Sequence, residues 1–322
     1  MEQRQLGRTG LLVSRLALGT WTWGAETTAE DAAGQLRLFL EAGGTLVDTA
    51  DVYAGGNSER VLGQLLQRVR RDDVVLATKA GGLLEEVRGR ACDASRRHLL
   101  TALDESLSRL GLDHVDLWQL HVWDPLTPLE ESLAAVDAAV TSGRARYAGV
   151  SNYTGWQTAA AATWQRAWPG RVALASTQIE FSLLARGAEA EVLPAASHAG
   201  LGVLAWSPLG RGVLSGKYRE GIPPGSRATT HRAAFVGPYL DERCGRITDA
   251  VIATAREIGV PPAAVALAWA RDRPGITAPI IGARTIAQLT ESLTAEQLTL
   301  PPSVRATLDD ISAAENAGKS SG

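Results

Sequence analysis

The chain has 322 residues, 45% of them apolar, with 32 basic and 35 acidic side chains and a formal net charge of -3. That is ample for a large buried core, and the near-neutral, scattered charge offers no basic arm, so nucleic acid is not an expected partner. No run approaches the roughly 18 apolar residues of a membrane span. The two cysteines, Cys92 and Cys244, lie far apart without metal-ligand spacing, and the start, Met1-Glu2-Gln3-Arg4-Gln5, has no apolar signal region. A cytoplasmic protein with two free thiols, no membrane partner and no metal is the expectation.

Residues 3–6 and 11–14, around Gly7-Arg8-Thr9-Gly10, predict a β-hairpin. Short apolar stretches then alternate with amphipathic patterns. The strand candidates are residues 15–18, 46–48, 74–78, 115–119, 147–151, 176–179, 202–206 and 277–281. Their near-continuous apolar character suits parallel strands covered on both faces. Between them, Leu99, Leu103, Leu107 and Leu110 share one helical stripe, as do Leu129, Leu133, Val136 and Val140. Asp93 or Ser95 can cap the first of these helices, and Thr127-Pro128 places a hydroxyl before an N1 proline on the second. Eight strands alternating with helices predict an α/β fold closed as a (β/α)8 TIM barrel. An open doubly wound sheet would carry G-x-G-x-x-G after its first strand, and none is present. Residues 207–240 are rich in Gly, Pro and Arg and too long for an ordinary connection, which suggests a ligand-covering loop. Residues 303 to about 317 predict an extra C-terminal helix, followed by a Gly-Lys-Ser-Ser-Gly tail. No linker divides the chain, so residues 1–322 are expected to form one barrel domain.

Three of the strand candidates lead into reactive side chains. Asp48 closes Leu46-Val47-Asp48, Tyr53 follows five residues later, Lys79 follows residues 74–78, and His121 follows residues 115–119. Neighbouring parallel strands would bring all four to one rim. A carboxylate, a phenol, an ammonium and an imidazole in one pocket can move a proton at an oxygen. Taken singly, each has a plainer role: a loop tyrosine, a solvated strand-end lysine, a capping aspartate and a core histidine.

Taken together, and with the flanks Asp48-Thr49-Ala50-Asp51-Val52-Tyr53, Ser58-Glu59-Arg60-Val61-Leu62-Gly63 and Ala77-Thr78-Lys79, the four resemble the tetrad of the aldo-keto reductases. The resemblance runs from Arg4-Gln5-Leu6-Gly7-Arg8-Thr9-Gly10 to Leu293. It implies a nicotinamide-dependent reductase in which Tyr53 protonates the oxygen of a small-molecule carbonyl substrate. Lys79 would assist Tyr53: a cation about 4 Å away interacts by roughly 4 kcal/mol at an effective dielectric near 20. The phenol is therefore expected to titrate one or two units below its usual ~10. Asp48 would hold Lys79 charged, and His121 would direct the substrate oxygen. The N-terminal hairpin would plug the barrel bottom.

The same resemblance assigns a cofactor cradle. Ser151, Asn152 and Gln178 would hold the nicotinamide amide, for which they carry suitable donors and acceptors. Trp206 would stack on its ring, and Thr20 and Trp21 would approach it. Ser207-Pro208-Leu209-Gly210-Arg211-Gly212 would let backbone N–H groups near the pyrophosphate, with Lys217 and Arg227 neutralising it. Gly282 and the following helix start suit a phosphate, Arg284 a 2′-phosphate, and Gln288, Glu291 and Ser292 the adenosine. NADPH (NADP+) is thus expected rather than NADH. Trp21, Trp23 and Trp123 would wall the substrate pocket beside Tyr53 and His121, favouring neutral carbonyls.

Gln178-Ile179-Glu180-Phe181-Ser182-Leu183-Leu184 and Trp206-Ser207-Pro208-Leu209 resemble the subgroup of bacterial general reductases and potassium-channel β subunits. A cofactor-sensing regulatory protein with incidental turnover is therefore the alternative reading. Against it, the channel-associated members carry Asn where His121 stands. A barrel hydrolase or isomerase using Asp48 and Asp51 would leave Lys79 and the Gly-rich loop unexplained. The reading allows a homo-oligomer.

Overall fold

The computed structural model describes residues 1–87, 89–230 and 232–313. The elements in chain order are β1 (Gln3–Gln5), β2 (Leu12–Ser14), β3 (Ala17–Gly19), α1 (Ala29–Glu41), β4 (Leu46–Asp48), α2 (Asn57–Leu66), β5 (Val75–Ala80), β6 (Gly82–Val87), β7 (Arg90–Cys92), α3 (Arg96–Leu110), β8 (Val115–Leu120) and α4 (Leu129–Thr141). They continue with β9 (Ala145–Ser151), α5 (Gly155–Ala167), β10 (Leu174–Glu180), α6 (Val192–Ala199), β11 (Gly202–Trp206), α7 (Ala233–Val236), α8 (Glu242–Ile258), α9 (Pro262–Arg271), β12 (Ile276–Gly282), α10 (Ile286–Leu293) and α11 (Pro302–Ser312). Strands β3, β4, β5, β8, β9, β10, β11 and β12 pair in parallel and close into a barrel. This is the (β/α)8 architecture expected from the alternation of elements.

Two hydrophobic layers hold it together. Inside the barrel, Ala17, Leu46, Ala77, Leu117, Ala175, Leu204 and Ala278 form one buried cluster, which Leu6 and Val13 of the N-terminal hairpin join. That hairpin therefore plugs the barrel floor. Gly7, between its strands, sits at φ +59, and a Cβ there would lie 2.6 Å from the Gly200 carbonyl oxygen. Only glycine permits both the backbone angle and the contact. The outer core lies between strands and helices, and includes the Leu99, Leu103, Leu107 and Leu110 stripe of α3.

Locally, the structure decides between some of the sequence expectations and departs from others. Ser95 caps α3 through the His98 amide, while the Asp93 carboxylate accepts from the Ser95 amide. Thr127 caps nothing: its hydroxyl donates to Asp124 at 2.6 Å, and α4 starts after Pro128 without a side-chain cap. Its oxygen accepts instead from the Arg90 guanidinium at 3.1 Å, so the hydroxyl is held by Asp124 and Arg90 and not by helix amides. An antiparallel hairpin, β6–β7, interrupts the β5–α3 connection, and α8 is an additional helix packed with α11. The described residues of 207–240 include short helical turns at 210–215, 227–229 and 237–239 and α7. The C-terminal helix ends at Ser312, and residues 314–322, including the Gly-Lys-Ser-Ser-Gly tail, fall outside the described residues. Among the described residues no single helix is long and apolar enough to cross a membrane, and no group of three metal-ligating side chains occurs.

Candidate active site

Strand periodicity lifts the site directly off the barrel core. Side chains two residues apart share a face, so each interior residue is followed by a rim residue one step higher. Leu46 leads to Asp48, Ala77 to Lys79, Leu117 to Gln119, Leu204 to Trp206 and Ala17 to Gly19. The register aligns them: Gly19 pairs with Asp48, Asp48 with Ala77, Lys79 with Gln119, and Glu180 with Trp206. A register shift near Leu174 and Ser176 lets β10 present Gln178 on the same inner face as Ala175.

Lys79 is 1% and Asp48 2% exposed. The Lys79 ammonium donates to Asp48 Oδ1 at 2.5 Å, to the Thr49 carbonyl at 2.8 Å and to the Tyr53 hydroxyl at 3.2 Å. Asp48 Oδ2 accepts from Gln178 Nε2 at 2.9 Å and Gln119 Nε2 at 3.4 Å. Each ion is thus hydrogen-bonded on several sides, the condition under which a buried pair is tolerated. Burial disfavours the Lys79 cation, but Asp48 and Tyr53 outweigh it and raise its pKa above the ordinary lysine value. Tyr53 stands at a turn made by three successive residues with positive φ, Ala54, Gly55 and Gly56. Its pKa is also raised, because burial outweighs the attraction of Lys79. The expected depression of the phenol is therefore reversed: the ammonium's charge is already spent on Asp48, whose own charge acts in the opposite sense.

The His121 ring meets the Tyr53 ring edge-on, with centroids 6.1 Å apart. Burial first, and Lys79 second, pull its pKa down to about 3, so the imidazole is neutral at physiological pH. Its Nδ1 has no partner among the described residues, and Gly82 of the unexpected hairpin lies against that atom. The His121 carbonyl accepts from Asn152 Nδ2 at 2.9 Å, and Asn152 Oδ1 accepts from Trp206 Nε1 at 2.9 Å.

From these residues a cavity of about 620 Å³ extends along the rim to α10. Ser151, Asn152, Gln178, Trp206, Ser207, Pro208, Leu209, Gly212, Lys217, Arg227, Gly282, Arg284, Gln288, Glu291 and Ser292 all line it. Asn152 and Gln178 already spend amide groups on the rim, and each retains a further donor or acceptor position. Among the described residues, the non-glycine positions with positive φ are Ala54, Asn152, Ser207 and Arg211. All four sit at or beside this cavity, where such backbone strain is characteristically found. Lys217, Arg227 and Arg284 gather at one part of the wall, and none forms an ion pair with a described carboxylate. Partial burial, then the charges of Arg227 and Arg284, push Lys217 down to about 8. Burial likewise lowers Arg227, opposed by Glu26 and reinforced by Arg232 and Arg284. Unneutralised positive charge of this kind fits an anionic ligand.

Several assigned residues stand elsewhere. Trp23 is fully buried, with its indole N–H on Gln35 at 2.9 Å, so it is core and not a pocket wall. Trp123 packs edge-on against Tyr153 and Trp156 and does not line the cavity. Thr20 is buried, with its hydroxyl bonded to Ser58 and the Asp48 carbonyl. Its neighbours Gly19, Trp21 and Thr22 line the cavity instead. Gly210 turns the loop behind the wall, against Leu184. Arg211 lines the cavity, but its fork is committed to Glu180 by two bonds of 2.8 Å and stacks on Phe235 at 3.9 Å. It clamps the loop and offers no free charge. Phe235, which packs against Trp21 at 5.3 Å, is an aromatic wall residue that the sequence reading missed. Its only signal was that it is the one phenylalanine in the Gly/Pro/Arg-rich loop, which also carries Tyr218 and Tyr239. Asp51 does not line the cavity; its carboxylate accepts from the Val52 amide. A paired-carboxylate site with Asp48 is therefore absent.

Comparison with known proteins agrees with this geometry. The model of the aldo/keto reductase family matches residues 15–313. An uncharacterized oxidoreductase, YrpG, of Bacillus subtilis is 38% identical, over 97% of this chain and 96% of its own. A probable voltage-gated potassium channel subunit beta of Oryza sativa is 36% identical, covering 92% of this chain and 91% of its own. A putative one of Schizosaccharomyces pombe is 33% identical, covering 96% and 92%. With a closed parallel barrel, a Lys–Asp–Tyr cluster on its C-terminal rim and a family match across nearly its whole length, the chain belongs to the aldo/keto reductase family and is an NAD(P)H-dependent oxidoreductase.

Proposed function

We propose that the protein reduces an aldehyde or ketone to an alcohol, uses NADPH in preference to NADH, and protonates the nascent alkoxide through Tyr53. The observation that carries this reading is the single ammonium of Lys79 bonded at once to Asp48 and to the Tyr53 hydroxyl. Bound nicotinamide supplies the hydride. Hydride arrival leaves negative charge on the substrate oxygen, and an acid poised at that oxygen lowers the barrier. The Tyr53 hydroxyl, protonated across the neutral range, is that acid. Lys79, held charged by Asp48, stabilises the phenolate left behind. Neutral His121 donates a hydrogen bond that orients the carbonyl. Lys217 and Arg227 are assigned to the pyrophosphate, Arg284 to the 2′-phosphate, and Gln288, Glu291 and Ser292 to the adenosine.

Trp21, Phe235 and Trp206 make the cavity wall apolar; of the cations beside them, Arg211 is neutralised by Glu180, Arg232 by Glu26, and Arg227, which stacks on Trp21 at 4.8 Å, is assigned to the pyrophosphate. This supports a neutral, aromatic or aliphatic carbonyl over a carboxylated one, whose charge would lose hydration without a partner. Titration of NADPH and NADH by tryptophan fluorescence, followed by turnover on benzaldehyde and 4-carboxybenzaldehyde, tests the reading. Tighter NADPH binding and a higher kcat/KM for benzaldehyde are expected. Absence of cofactor binding overturns the reductase assignment, and a preference for the carboxylated aldehyde overturns the substrate class.

A further inference from the structure

The outward face of α5 departs from what a barrel's outer helix normally shows. Such a helix turns polar and charged side chains to water, yet α5 turns out tryptophan. Trp156 is 60%, Trp164 37% and Trp168, the C-cap residue, 60% exposed, and these are the three most exposed indoles among the described residues. Trp156, Ala160, Thr163 and Ala167 follow one another at spacings of four, three and four, the seam by which one helix packs along another. None of the four is charged, and the cations beside them are committed. The Arg166 guanidinium bonds the Ala199 carbonyl, and Arg171, over the Trp164 ring at 5.2 Å, reaches Asp137 at 3.4 Å. Trp156 is braced edge-on by Trp123 at 5.2 Å, so two of the indoles are held before anything binds. With up to about 250 Å² on an indole, the three leave roughly 400 Å² of apolar surface in water. The largest such patch on a monomer is roughly 300–600 Å² and often functional, and one partner of a stable interface buries about 800 Å². The indoles alone would thus supply half of one side of an interface.

The order of large and small residues along this face matches the same face reversed. Turned end for end about a two-fold axis between Ala161 and Ala162, Trp156 falls opposite Ala167 of a second copy, Trp164 opposite Ala159, and Ala160 opposite Thr163. Each indole meets a small side chain, and no like charges are opposed. That is the self-complementarity an isologous contact requires. We propose that the outward face of α5 docks a second copy of this chain, the two helices packing antiparallel across a two-fold axis. Sedimentation velocity on the intact chain at about 1–100 µM tests it. Wild type should dimerise in that range. Ala160→Glu, which sets two like charges near the axis in an apolar seam, should raise the dissociation constant about tenfold or more. Trp156→Ala, which removes one knob from each side, should raise it as well, and far-UV circular dichroism should show both variants folded. The register is tested by mixing. Thr163→Lys should also weaken the dimer, and an equimolar mixture with Ala160→Glu should recover most of the wild-type affinity, because position 160 of one copy faces position 163 of the other. A wild type that stays monomeric, a folded Ala160→Glu or Trp156→Ala variant that dimerises like wild type, or a mixture without recovery overturns the proposal.

Discussion

The rim has two halves that handle charge in opposite ways. Around β4, β5 and β8 the ions are neutralised within the protein: Lys79 and Asp48 are buried and bonded to each other at 2.5 Å. Around the loop after β11 and the start of α10, Lys217, Arg227 and Arg284 crowd together with no ion pair to a carboxylate among the described residues. The first half is complete as it stands, since an unpaired buried ion would be too costly. The second half is complete only with an anion, and without one the charges of Arg227 and Arg284 add to burial in lowering the pKa of Lys217. Chemistry that must be preorganised is built from paired charge, and a site that must release its ligand is built from unpaired charge at an accessible surface.

The largest effect is expected from the first half. Tyr53→Phe should lower kcat by about 10²–10⁴, the range of a lost proton transfer, with cofactor affinity unchanged; near-normal turnover would remove Tyr53 from its role. Lys79→Met strands the Asp48 charge, and Asp48→Asn strands the Lys79 charge. Either should cost about 3–5 kcal/mol of stability in denaturant titration, while the double variant should lose less than the sum. Strict additivity would break the pairing argument. On the second half, Arg284→Ala should leave stability nearly intact and weaken NADPH by about 1.5–3 kcal/mol, with NADH hardly affected. Equal weakening of both cofactors would contradict a 2′-phosphate contact. The smallest effect is a pH dependence. Lys217 titrates at about 8 without ligand, and a bound phosphate must raise that value. Its contribution to NADPH affinity is therefore complete below about pH 8 and fades as pH rises through the bound-state value. A several-fold weakening between pH 7 and 10, abolished in Lys217→Met, is the expected titration result.

Much of this protein is legible in its sequence, for physical reasons. Doubly covered parallel strands must be apolar throughout, so stretches such as 115–119 and 202–206 declare themselves, and their alternation with leucine stripes such as that of α3 dictates a barrel. The period of two then carries Asp48 and Lys79 to the rim directly above Leu46 and Ala77. Other features depend on contacts remote in sequence. Trp21 and Trp23 look alike along the chain, yet Gln35 on α1 draws one indole into the core while Phe235, over two hundred residues on, packs on the other. Arg211 and Lys217 belong to the same Gly-rich segment, but Glu180 neutralises only the first. The direction of the Tyr53 shift is likewise tertiary, because it depends on how far enclosure outweighs a cation already shared with Asp48. Local pattern sets which elements form and which residues reach the rim. Which of those residues are left with an unsatisfied charge or an open face is decided by partners that only the folded chain supplies.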